Sequence, residues 1–204
     1  MNNINQFFGS RAWINIHELG PKTFRCGYCS QYVSSDRGYQ TQNISTPAFI
    51  YACHHCGRPT FFDQDGSQVP GALFGGEVSD IHDAEVEELY NEARKCTAAG
   101  AFTSSVLASR KLLMHIAVAK GAKPGEPFIN YVQFLSDNHY VPPGAIPWVD
   151  HIRKKGNEAN HEIRIMKEED AKDLLVFLEM LLKIIYEFPR NIERRTSPAT
   201  KAAP

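Results

Sequence analysis

Two groups of residues in this chain can do chemistry. The first is a set of four cysteines in two tight pairs, Cys26-Gly-Tyr-Cys29 and Cys53-His-His-Cys56, with 23 residues between the pairs. A Cys-x-x-Cys turn presents two thiolates on one knuckle, and a second knuckle completes the tetrahedron that zinc prefers. Cys26, Cys29, Cys53 and Cys56 are therefore the predicted ligands of one structural zinc ion. Four thiolates leave such a metal no open position, so its expected task is folding rather than reaction. His54 and His55 are alternative donors that the geometry does not need. A pair of redox dithiols is the competing reading, and it explains two neighbouring pairs less well.

The second group lies in HIRKKGNEANHE, residues 151–162, where Arg153, Asn157 and His161 stand four residues apart. On a helix they share a stripe that drifts about 40° per step. A guanidinium can clamp a phosphate oxygen and stabilise developing charge. An imidazole with a pKa of about 6.5 can take or give a proton at neutral pH. Asn157 can orient either partner. A ribose 2′-hydroxyl can then act as an internal nucleophile, so the trio suits metal-independent cleavage of RNA. Lys154 and Lys155 add positive charge as binding residues. Gly156 costs about 1 kcal/mol relative to Ala within a helix, which calls for close approach of another backbone or of a ligand. The structural alternative is that these side chains tie their helix to its neighbours through buried hydrogen bonds.

Arg110 belongs to the same question. It sits among Val106, Leu113 and Ala117 on an otherwise apolar helix, where a charge must find a partner or a cavity. It is a candidate binding residue in one wall of the polar site. His115 lies about 140° away around that helix and reads as ordinary. Cys96 falls on an apolar stripe and reads as a small core residue.

The elements that must position these groups fall into two regimes. Residues 1–75 are rich in Gly, Ser, Thr, Gln and aromatics. They hold short β-like runs at 39–43, 47–52 and 60–63, with a turn at Asp65-Gly66. This is the predicted ribbon, too small to fold without its metal. Phe49, Tyr51, Phe61 and Phe62 can stack on bases or pack the ribbon against a neighbour. Its charges nearly cancel, which does not make a nucleic-acid-binding face. The stretch QVPGALFGGEVSD reads as a linker. Residues 80–190 show helical periodicity, with five helices expected near 83–99, 103–120, 127–137, 147–161 and 167–188. On the last, Leu174, Leu178, Leu181 and Ile185 face inward, and Glu179, Lys183 and Glu187 form the expected solvent line. Residues 191–204 read as a disordered tail. The fold class is thus α+β, a small β ribbon followed by a helical bundle.

Composition sets limits. The chain has 204 residues, 43% of them hydrophobic, and a formal net charge of −1. That charge argues against a broad electrostatic grip on nucleic acid. With no run long enough to span a bilayer and no secretory pattern at the start, the expectation is a cytoplasmic protein without membrane contact.

The runs Ser109-Arg-Lys-Leu-Leu, Ile152-Arg-Lys-Lys-Gly-Asn-Glu-Ala-Asn-His161 and Glu169-Asp-Ala171 resemble the prokaryotic domain-of-unknown-function family 4145, with its Arg-x3-Asn-x3-His signature. That family is similar to the HEPN superfamily of helical bundles. The resemblance implies a HEPN-like fold, a role in prokaryotic defence or restriction-like systems, and metal-independent ribonuclease activity. Arg153, Asn157 and His161 would be its catalytic residues. It also implies a homodimer with the site between chains, RNA or another nucleic acid as ligand, and a protein partner from the same defence system. Alignment through Asn157 and His161 sets Gly156 at the HEPN arginine position, with Arg153 one turn earlier. The alternative function is a non-catalytic interaction or nucleotide-binding module.

Overall fold

The structure is a computed structural model, and it describes residues 13–42, 45–145, 148, 152 and 165–196. The chain divides into two compact units, residues 1–73 and 74–204. The first is a five-stranded antiparallel meander in sequential order. Its strands are β1 (His17–Arg25), β2 (Tyr32–Gln40), β3 (Phe49–Ala52), β4 (Pro59–Phe62) and β5 (Gln68–Val69). The second unit is helical: α1 (Ala84–Ala98), α2 (Phe102–Ala119), α3 (Phe128–Asp137), α4 (Glu168–Leu182) and α5 (Phe188–Thr196), with one π turn (Lys183–Glu187) joining the last two. The architecture is therefore mixed α and β.

In the sheet, β1 and β2 pair in register from Phe24↔Val33 until the register shifts between Glu18 and Lys22. Gly20 and Pro21 fill that irregularity, since proline cannot donate to a ladder. Register places Phe49 opposite Phe62 and Tyr51 opposite Thr60, so these side chains share a face. Leu19, Phe24, Val33, Tyr51 and Phe62 are buried there with Cys26 and Cys53. Phe24 meets Phe62 edge to face at 5.1 Å. Of the four aromatics expected to stack on bases or pack against a neighbour, Tyr51 and Phe62 thus lie inside the ribbon's own core. Phe49 is partly buried against it, and Phe61 is exposed.

In the helical unit, Asp83 caps α1 by accepting from the amides of Glu85 and Val86. The helix ends at Gly100, whose φ is +74°. α2 buries Leu112, Leu113, Ile116 and Ala117 and is the central helix of the core. α3 contributes Tyr131, Val132 and Leu135, and α4 contributes Leu175, Phe177, Leu178, Leu181 and Leu182. Most of the predicted fourth helix, 147–161, lies outside the described residues. Of it, Trp148 and Ile152 are helical, with Trp148 edge to face against Phe177 at 5.4 Å and Ile152 buried. Among the described residues, no helix is long and apolar enough to cross a membrane.

Three expectations need correction. The linker is not free: β5 occupies Gln68–Val69, and residues 74–80 lie on the helical unit. The line Glu179, Lys183, Glu187 does not simply face solvent. Glu179 accepts the amide of Gly76 at 2.7 Å, and Glu187 accepts that of Ser79 at 2.9 Å. The chain does not become a tail at residue 191, because α5 continues to Thr196.

Candidate metal centre and the Arg110 cavity

Two knuckles with one hydrogen-bond frame position the four cysteines. In the first, the amide of Cys26 donates to the carbonyl of Gln31, and the amide of Ser30 donates back to that of Cys26, both at 2.9 Å. In the second, Cys53 donates to Arg58 at 2.9 Å and Gly57 donates back to Cys53 at 2.7 Å. The fifth residue of each knuckle is left-handed, with φ of +58° at Ser30 and +68° at Gly57. Glycine adopts that conformation without strain. Each knuckle follows directly on a strand, β1 or β3, so the sheet fixes their separation.

All four sulfurs lie within 4.8 Å of one another. Cys26 and Cys56 are 3.8 Å apart, as are Cys29 and Cys53. A disulfide needs about 2.05 Å between its sulfurs, and all four cysteines are free. Thiolates at about 2.3 Å from a shared tetrahedral metal stand about 3.8 Å apart, which is the separation seen along both edges. The donor set therefore fits a thiophilic metal ion held by Cys26, Cys29, Cys53 and Cys56. Burial works against the Cys26 thiolate, yet the amides of Tyr28 and Cys29 and the neighbouring thiols lower its pKa overall. Burial raises Cys29 and Cys53. A bound cation would draw the protons off the thiols as it binds. His54 and His55 are exposed and stand outside the cluster.

The second predicted group is divided. Arg153, Lys154, Lys155, Asn157 and His161 lie outside the described residues. Arg110 is buried on α2, with its guanidinium 4.4 Å from the centre of the Phe128 ring. Burial lowers its pKa. It lines a small cavity together with Ile152, Met166, Asp170 and Asp173. Among the described residues, two carboxylates accompany one guanidinium there. His115 lies 3.6 Å from Asp83 Oδ2. Cys96 is half-buried, its thiol raised by burial and by Glu92.

Sequence reasoning overlooked Arg94. It is 1% exposed, in the C-terminal half of α1. It donates to the carbonyls of Phe74 and Gly75 and to Asn91 Oδ1, each at 3.0 Å. Tyr90 donates to the carbonyl of Gly76, also at 3.0 Å. A Cβ at Gly76 would lie 2.7 Å from Glu179 Oε1, so a side chain there would push that carboxylate aside. The available signals were an arginine in register with Val86 and Tyr90, and the Gly75-Gly76 pair upstream.

A family model for Domain of unknown function (DUF4145) matches residues 91–198, more than half of the chain, and the chain belongs to that family. The match starts within α1, so the cysteine cluster lies upstream of it. No curated protein and no solved structure matches the chain.

Proposed function

We propose that the chain is an RNA-directed module of a prokaryotic defence or restriction-like system, a structural zinc ribbon joined to a HEPN-like bundle. The zinc assignment rests on the two 3.8 Å sulfur separations and the all-thiolate donor set. Metal analysis of the purified chain is expected to give one zinc per chain, lost in Cys53→Ser. Another metal, or none, would reject zinc.

The ribonuclease reading assigns Arg153 as phosphate clamp, His161 as proton donor and acceptor, and Asn157 as orienting group. The observation that carries it is the position of Ile152. It lines the Arg110 cavity and immediately precedes Arg153 in the chain. Purified protein incubated with total RNA in EDTA is expected to cleave it, and His161→Ala is expected to stop the cleavage. Cutting that persists in the variant removes the assignment. The second reading, a non-catalytic interaction or nucleotide-binding module, is favoured by Asp170 and Asp173 in the same cavity. Carboxylates beside a guanidinium offset the charge that would attract a phosphate. RNA or nucleotide bound without cleavage by the wild type would select it.

A further inference from the structure

We propose that Trp13 is the latch of the cysteine cluster: its indole holds the second knuckle shut, and a bound metal leaves through that knuckle first. The latch rests on the metal assignment and not on ribonuclease activity. The indole N–H of Trp13 donates to the carbonyl of Gly57 at 2.8 Å, between residues 44 apart in the chain. Gly57 is the left-handed residue that closes the Cys53 turn, its amide donating to the carbonyl of Cys53 at 2.7 Å. One residue thus holds the turn with its N–H and takes the latch on its carbonyl. Trp13 is itself held from β2. Its ring meets that of Tyr39 with centroids 6.3 Å apart, and the Tyr39 hydroxyl donates to the carbonyl of Ile14. Tryptophan suits the task because the body of its ring packs while its N–H donates.

The first knuckle carries the same device in a sturdier form. Ser30 is its left-handed residue, and the carbonyl of Ser30 accepts from Arg25 Nε at 3.1 Å. Arg25 stands next to Cys26 in the chain and is anchored again through Nη1 to the carbonyl of Leu73 at 3.0 Å. Gln68 Nε2 adds bonds to the carbonyls of Arg25 at 2.8 Å and Pro70 at 3.0 Å. A Cβ at Gly27 would lie 2.4 Å from the carbonyl oxygen of Gly71, so backbone covers the Cys26 turn directly. Among the described residues, and apart from the sulfur contacts, the bond from Trp13 is the one hydrogen bond that reaches the second turn from outside it. Cys29 and Cys56 are each half-buried while Cys26 and Cys53 are buried, so a competing ligand can reach either knuckle and the fastening decides which opens. Each metal–sulfur bond that breaks leaves a thiolate, which takes a proton from solvent as the metal passes to the competing ligand.

The test is zinc release from the zinc-loaded full-length chain to an excess of chelating dye. The cysteines freed on the way are pulse-labelled with N-ethylmaleimide and located by peptide mass. In the wild type, Cys53 and Cys56 are expected to be labelled ahead of Cys26 and Cys29. Trp13→Phe keeps a ring against Tyr39 but removes the donor, and is expected to release zinc about fivefold faster. Tyr39→Phe is expected to speed release by less, in the same direction. Gln68→Ala is expected to leave the rate within about twofold of wild type, because it loosens the knuckle that opens second. The labelling order needs no variant, so it decides the question even where a substitution prevents loading. Equal release by wild type and Trp13→Phe, or labelling that begins at Cys26 and Cys29, would overturn the latch and leave the metal assignment standing. A wild-type chain that takes up no zinc would overturn both.

Discussion

The two units keep their folds by different means. Among the described residues, the ribbon buries seven in its core cluster, and two of them are the cysteines Cys26 and Cys53. The helical unit buries 24 of its described residues in one cluster spanning α1 to α4. A small sheet with so little apolar burial needs a staple, and a bound metal supplies on the order of 10 kcal/mol. The helical unit has no such need. It has placed its unusual interactions elsewhere, in a polar clamp that fastens residues 74–80 across α1 and α4. The cysteine knuckles and a buried guanidinium thus serve a common end, fixing irregular backbone that neither helix nor sheet can hold.

The largest effect expected to separate the units is loss of a metal from the four-cysteine cluster. Cys53→Ser, or prolonged chelation, is expected to unfold residues 13–73 and leave the helices intact. Hydrogen exchange read by mass spectrometry would show β1–β5 exchanging at once while α2 and α4 stay protected. Loss of protection in both units together would break the comparison. Next in size is Arg94→Ala. Removing a buried guanidinium leaves the carbonyls of Phe74 and Gly75 without their donor, at a cost of about 3 kcal/mol. Chemical denaturation followed by helical signal would measure it, and Cys53→Ser is expected to leave that transition where it was.

The contrast also sets what could be read in advance. The knuckles were legible because metal chemistry demands cysteines at fixed spacing, whatever surrounds them. The helices were legible from their apolar period. β1 was not legible. HELGPKTFR alternates poorly, and its Gly-Pro interruption is a register shift that only the pairing with β2 reveals. The polar run YVSSDRGYQ of β2 hides for a related reason, since one side of this strand faces solvent. Arg94 was easily missed because two of its three acceptors are backbone carbonyls about twenty residues upstream, which carry no side-chain signature. The chemistry assigned to Arg153, Asn157 and His161 is read from the sequence, with the placement of the neighbouring Ile152 as its structural support, because those residues lie outside the described part of the chain.

A smaller effect distinguishes the charged part of the clamp from its neutral part. Burial disfavours the Glu179 carboxylate, but Lys183, the Gly76 amide and Arg94 together hold its pKa below the ordinary glutamate value. A lowered folded-state pKa contributes stability above the unfolded value, and that contribution is lost as pH falls through the folded one. Wild type is therefore expected to exceed Glu179→Gln in stability at neutral pH. The gap is expected to narrow below the ordinary glutamate pKa of about 4.3. Urea midpoints for both proteins from neutral pH downward would check this. A gap that holds constant through the acid range would mean the carboxylate acts through packing alone.

The smallest effect is at the entrance to α1. Asp83 Oδ1 accepts from two first-turn amides, and its other oxygen lies 3.6 Å from His115. Asp83→Ala is expected to cost about 1 kcal/mol through the lost cap. Asp83→Asn retains an acceptor for the amides but gives up the charge beside His115, and is expected to recover most of that loss. The pair is exposed, so little of the effect is expected to depend on salt. If the asparagine variant were as unstable as the alanine one, the contact with His115 would matter more than the cap. The clamp and the helix entrance would then both rest on charge, and the helical unit would resemble the ribbon more than its apolar core suggests.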